Sequence, residues 1–162
     1  MHAAQAIMVG GDGVRAVVQR VRRAQVTVGE ELVGRIDAGL LVYAAAAPDD
    51  TDEDVGYIAD KVAHLRIFTD EDGKMNRCVV ETGGGVLLVS AFTVHADARH
   101  GRRPSFDSSA SGEVAAPLVE RLVEAIRGNG LSVATGRFGA YMLVESVNDG
   151  PICVLLDSRR GF

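Results

Sequence analysis

The sequence predicts an α+β domain in which a curved or barrel-like mixed β-sheet carries two packed helices. Three observations predict it. Most of the chain from Val14 to Asp157 breaks into short runs rich in Val, Ile and Leu, bounded by Gly, Asp, Asn and Pro. Only two segments show the helical spacing of apolar residues. Aromatic residues make up 5% and Trp is absent, so the core must come from branched aliphatics and Ala, which suits sheet packing. With 162 residues, 47% of them hydrophobic and 24% charged, the chain has the size and balance of a single globular domain.

The first residues, 1–13, carry no early Lys or Arg and no long apolar stretch, so they read as a disordered leader rather than a secretory signal. The domain is expected over residues 14–158, with 159–162 a tail. Val14 to Val21 and Ala24 to Val28 read as paired strands, Glu31 to Ile36 as a third, and Gly39 to Ala47 as a buried one. Pro48 and the acidic run Asp49, Asp50, Asp52, Glu53 and Asp54 then precede Val55, Ile58, Ala59, Val62 and Leu65. That pattern is a helix with carboxylates at the positive end of its dipole. Asp70 to Gly73 form a turn, and Gly83 to Gly85 a second one leading into the strand Val86 to Ser90. A second helix, Val114 to Arg127, buries Leu118, Leu122, Ala125 and Ile126 and stops at Gly128-Asn129-Gly130. Leu131 to Thr135, Tyr141 to Val147 and Pro151 to Asp157 complete the strands.

Charge narrows the function. Seventeen Lys and Arg against 22 Asp and Glu give −5, which argues against a protein that coats nucleic acid through bulk positive charge, DNA included; any contact must be local. Cys78 and Cys153 have neither the density of a disulfide scaffold nor the spacing of a metal site, as expected of a reducing cytoplasm. No run approaches the roughly 20 apolar residues of a membrane-spanning helix. Among His2, His64, His95 and His100 there is no HExxH and no i, i+4 pair, so no metal or cofactor is expected. Ser90 lacks the GxSxG context of a hydrolase elbow, and the glycine clusters match no phosphate-binding loop.

Three unusual segments remain: Val89-Ser90-Ala91-Phe92-Thr93-Val94, Gly101-Arg102-Arg103-Pro104-Ser105-Phe106, and Asn148-Asp149-Gly150-Pro151. With Ala16 to Val21, Leu65 to Phe68, Asp72 to Asn76 and Thr135 to Ala140, they resemble the D-aminoacyl-tRNA deacylase family in order, from Val14 to Ser158. Val14 stands where that family's initiator Met usually falls, which makes the leader an expected artefact of a missed start codon. The resemblance implies a cofactor-free homodimer that hydrolyses the ester between tRNA and a D-amino acid, or glycine mischarged on alanine tRNA. It places Ser90, Ala91, Phe92 and Thr93 at the catalytic centre. Gly150 and Pro151, joined by a cis peptide, would enter the partner's site as a chirality filter held by Arg20, with Phe138 and Gly139 also binding substrate.

This chain departs from the family pattern at Ala91, where Gln is usual, at Val94, Tyr141, Ile152 and Cys153, and at Ala44 to Ala46. These departures leave an alternative reading, a catalytically impaired or substrate-shifted relative that binds tRNA. Ester hydrolysis needs an oxyanion stabiliser, which backbone N–H groups supply whatever the side chain, so Ala91 retains its N–H for that role. Attack is assisted either by the substrate's own 2′-hydroxyl or by the Thr93 hydroxyl as nucleophile. Lys74, Asn76, Arg102 and Arg103, with Arg99 and His100, form the expected tRNA-contacting set.

Overall fold

The computed structural model describes residues 13–162; the expected leader lies outside the described residues except for Gly13. The order is β1 (Arg15–Val28), β2 (Glu31–Ile36), β3 (Gly39–Ala45), α1 (Asp52–His64), β4 (Phe68–Thr69), β5 (Met75–Arg77), α2 (Val79–Thr82), β6 (Gly85–Ser90), a 3₁₀ turn (Phe92–His95), α3 (Gly112–Arg127), β7 (Val133–Thr135) and β8 (Leu143–Asp157). The strands form one six-stranded mixed sheet in the order β2-β1-β3-β6-β7, with β8 on β1, and a small β4-β5 hairpin. The β3–β6 and β6–β7 pairs are parallel, while β1 runs antiparallel to β2, β3 and β8.

The two expected helices are present as α1 and α3, and the one-turn α2 and the 3₁₀ turn add to them. The segments read as paired strands, Val14 to Val21 and Ala24 to Val28, are one continuous strand. Arg22 and Arg23, whose charge suggested a break, are exposed residues at its middle. β8 likewise runs through Gly150-Pro151, where two strands were expected. Within the segment 159–162, Arg159 is held to the start of α1, as described below.

Burial on both sheet faces explains why β3 and β6 read as unbroken apolar runs. Leu40, Val42, Ala44, Val86 and Leu88 face the helices and pack with Ile58, Val62, Leu122 and Ile126. Leu41, Leu87 and Val89 face the barrel interior with Val21, Val26 and Ile36. The barrel nearly closes where β2 meets β7. A Cβ at Gly34 would overlap the Thr135 carbonyl oxygen, so the approach of the two backbones requires glycine there.

Val14 and the segment Ser158-Arg159 are clasped to the start of α1. Thr51 N donates to Asp54 Oδ2 at 2.8 Å, the Ser158 hydroxyl donates to Asp54 Oδ1 at 2.7 Å, and Val14 N donates to Ser158 Oγ at 2.9 Å. Arg159 lies 3.1 Å from Asp49, 3.2 Å from Asp54 and 3.7 Å from Asp50. Burial works against the Asp54 charge, but hydrogen bonds from Arg159, Ser158 and Thr51 prevail and hold its pKa at about 2. Asp50, whose side chain is fully buried, behaves oppositely: burial pushes its pKa up to about 6, with the Asp54 and Asp49 charges adding to the effect against the Ala47 N–H and Arg159.

Between its ordinary pKa of 3.8 and about 6, Asp50 binds more protons in the folded state than in the unfolded one, so its contribution to stability falls as pH rises through that window. Asp50→Asn removes this titration. The melting temperature of the variant minus that of the wild type is expected to rise between about pH 4 and about pH 7. A pH-independent difference would show that Asp50 ionises in the fold at no cost.

Candidate active site

The 3₁₀ turn Phe92–His95 follows β6 directly and is fixed from three sides. Ala91 N donates to Ala44 O at 2.9 Å, Ser109 Oγ to Phe92 O at 3.0 Å, and Ser108 Oγ to His95 O at 3.2 Å. Beside it opens a pocket of about 340 Å³ lined by Ala45, Ala46, Ser90, Ala91, Phe92, Thr93, Ala110, Gly112, Ala115, Phe138, Gly139, Ala140 and Met142. Six of the residues singled out from the sequence therefore meet in one place: Ser90, Ala91, Phe92, Thr93, Phe138 and Gly139. Phe138 and Gly139 reach it because the loop after β7 curls over Met142, whose sulfur accepts from Arg137 N at 3.4 Å.

The lining holds hydroxyls at Ser90 and Thr93 and no ionisable side chain. His95 lies two residues past Thr93 but is fully buried and does not line the pocket. One expectation is corrected. The Ala91 N–H is committed to Ala44 O, so it cannot serve as the oxyanion donor; the amides of Phe92 and Thr93 open the turn, where a short helix leaves N–H groups without internal acceptors. Of the residues read as departures from the expected pattern, Ala45, Ala46 and Ala91 wall the pocket, whereas Ala44 packs under the helices and Tyr141 and Cys153 are exposed outside it.

Gly150 and Pro151 do not line this pocket; they are exposed, and their peptide is cis. They lie where the β1–β8 register breaks: Gln19 pairs with Cys153 and Val21 with Asn148, so Asp149 to Ile152 bow outward opposite the single residue Arg20. The Arg20 guanidinium fills that gap, its Nε donating to Asp149 O at 3.2 Å and its Nη1 to Ile67 O at 2.7 Å. Asn148, which sequence reasoning did not single out as a site residue, closes the base by donating to Arg20 O at 2.9 Å and Ile152 O at 3.0 Å. Gly150 has φ +135°, and a Cβ there would lie 2.9 Å from Ile152 N, so the bow itself excludes a side chain.

The expected tRNA-contacting residues fall in two places. Lys74 and Asn76 belong to the β4–β5 hairpin, which Arg20 ties to the bowed segment through Ile67, and Asn76 is engaged by the Arg66 guanidinium. Arg102 and Arg103 instead project from the loop after the 3₁₀ turn, whose Phe106 ring meets Phe92 edge to face at 5.1 Å.

Replacing Arg20 with Ala leaves two carbonyls without their donor, and a loss of about 2 kcal/mol in urea unfolding is expected, with faster amide exchange confined to the bowed segment. A variant as stable as the wild type and equally protected there would mean that the guanidinium does not brace the bow.

Residues 17–157 match the family model described as D-Tyr-tRNA(Tyr) deacylase. A protein of Symbiobacterium thermophilum named D-aminoacyl-tRNA deacylase is 54% identical over 92% of this chain and 99% of its own length. One of the same name from Thermus aquaticus is 51% identical over 91% and 97%. Among solved structures, the "c-Myc DNA Unwinding Element Binding Protein" superposes with a TM-score of 0.82 at 36% identity, covering 88% of this chain and 97% of that one. A "probable eukaryotic D-amino acid tRNA deacylase" shares the fold at a TM-score of 0.77 and 20% identity, over 89% and 98%. With most of its length matched both by the family model and by relatives at about half identity, the chain belongs to the D-Tyr-tRNA(Tyr) deacylase family, whose members are hydrolases of an ester bond.

Proposed function

We propose that this protein hydrolyses the ester joining a D-amino acid, or glycine mischarged on alanine tRNA, to the terminal adenosine of tRNA, as a cytoplasmic homodimer. The observation that carries the reading is a pocket in which Ser90, Ala91, Phe92 and Thr93 meet Phe138 and Gly139 among alanines, without an ionisable side chain. No general base lines this pocket, so that role is assigned to the substrate. The 2′-hydroxyl of the terminal ribose takes that role as a relay: its oxygen receives a proton from the attacking water as the new C–O bond forms, and it passes its own proton to the 3′-oxygen as the ester C–O bond breaks. The oxyanion of the tetrahedral intermediate rests on the Phe92 and Thr93 amides.

Chirality is read from the other subunit. The bowed Gly150-Pro151 segment stands outside its own pocket on an exposed strand whose Leu143 and Leu155 also face outward, an arrangement suited to a two-fold contact. Backbone atoms brought against the substrate α-carbon exclude an L side chain by contact. A D-residue or glycine presents hydrogen in that direction and fits. Ala91 and the neighbour named for DNA binding favour a second reading, a nucleic-acid-binding relative without turnover.

Deacylation of D-Tyr-tRNA, L-Tyr-tRNA and Gly-tRNA(Ala) separates the readings. The first and third are expected to be cleaved and the second spared, whether or not EDTA is present. Binding of all three without cleavage would establish the second reading. For the chemistry, Thr93→Ala is expected to keep kcat/KM within about threefold, while a 2′-deoxy substrate loses about a hundredfold or more. The reverse pattern would make Thr93 the nucleophile.

A further inference from the structure

The nine residues 97–105 form a loop rooted on the catalytic turn. Asp97 and Ser105 exchange both backbone hydrogen bonds at 2.8 Å, closing its neck. The Asp97 carboxylate then takes three donors from Arg99: backbone N at 3.0 Å and Nε at 2.9 Å to Oδ1, and Nη2 at 2.7 Å to Oδ2. This charge-assisted fork holds the Asp97 carboxyl well below the usual carboxylate range. Both ends of the loop are fastened to the same turn. Asp97 follows His95 by two residues, and beyond Ser105 the Phe106 ring packs on Phe92 while Ser108 and Ser109 hold the His95 and Phe92 carbonyls. Gly101, at φ +95°, turns the chain at the tip.

Two arginines of this loop have different fates from the third. Arg99 is consumed by Asp97, whereas Arg102 and Arg103 are exposed and make no hydrogen bond or ion pair among the described residues. In a chain of net charge −5, two guanidinium groups without carboxylate partners, on a rigid neck beside the pocket, are suited to polyanion contacts.

We propose that Asp97 is a positioning residue for the reaction: by folding Arg99 back at the loop neck, its carboxylate fixes the path that aims Arg102 and Arg103 at phosphates of the tRNA acceptor end. The proposal rests on the reading of aminoacyl-tRNA as substrate. It goes beyond that reading by separating a residue that shapes the grip on the nucleic acid from those that touch the ester. Asp97 lines no part of the pocket, so its effect must depend on how much nucleic acid the substrate carries.

The test uses two substrates and one binding probe with the wild type, Asp97→Asn and Asp97→Ala. For D-Tyr-tRNA, Asp97→Ala is expected to raise KM about tenfold with kcat nearly unchanged, and to lower the slope of log KM against log salt by about one. For D-tyrosyl-adenosine, which carries the ester but no phosphodiester, kcat/KM is expected to stay at the wild-type value. Asp97→Asn, which keeps an acceptor without the charge, should fall between. The salt slope of Asp97→Ala is expected to approach that of Arg102→Gln/Arg103→Gln. Equal losses on both substrates, or no loss on either, would overturn the proposal. The third arm, anisotropy of fluorescein-labelled uncharged tRNA, decides it without hydrolysis. A weaker Kd for Asp97→Ala supports the proposal even if the wild type cleaves neither ester and the deacylase reading fails. An unchanged Kd contradicts it.

Discussion

The β1–β8 register break at Arg20 is the constraint from which the rest of the site follows. β1 is the hub of the sheet, bonded to β8 along most of its length, to β3 along its first half and to β2 along its second. A strand saturated on both edges cannot absorb extra residues in its partner, so the surplus in β8 must leave the ladder. It leaves as the Asp149–Ile152 bow, whose carbonyls would face solvent or an unsatisfied interior without the Arg20 guanidinium and the Asn148 amide. The outward bow is what makes Gly150 and Pro151 available to a neighbour and withholds them from their own pocket.

A second consequence concerns where the chemistry resides. The pocket is walled by alanines, glycines and aromatic rings, with only two hydroxyls. Under the proposed chemistry the working groups are backbone amides, and such a site depends on the path of the main chain rather than on side-chain identity. Ala91 shows this: it brings only a methyl group, yet its N–H fixes the turn to β3 through Ala44 O. The side chains that matter for the site therefore stand behind it, at Ser108, Ser109 and Arg20, holding carbonyls in place.

Much of the fold was legible because its elements are defined by local pattern. α1 begins at Asp52 within its acidic run, and β2 spans Glu31–Ile36 as expected. The misreadings at β1 and β8 share one cause. A charged pair at Arg22-Arg23 and a proline at Pro151 are local break signals, but pairing across more than a hundred residues of sequence overrides them. The pocket residues could be named from the resemblance, while their convergence could not, since Phe138 and Gly139 reach Thr93 only through the curl over Met142. Asn148 and Ile67 fall in segments the sequence already marked, but their roles as partners of Arg20 were not marked, because they exist only once Arg20 lies between them. The commitment of the Ala91 N–H was equally invisible, as it depends on β3 lying parallel to β6.

The central claim is that one subunit's pocket works only with the other subunit's bowed segment, and subunit complementation tests it most directly. Ala140→Trp fills the pocket, and Pro151→Arg spoils the segment offered to the partner. Each variant alone should be inactive. After subunit exchange of an equal mixture, half of the dimers combine one of each, and one of their two sites carries neither change, so D-Tyr-tRNA hydrolysis should return to about one quarter of the wild-type rate. A mixture shown to have exchanged subunits that remains as inactive as its components would contradict the account.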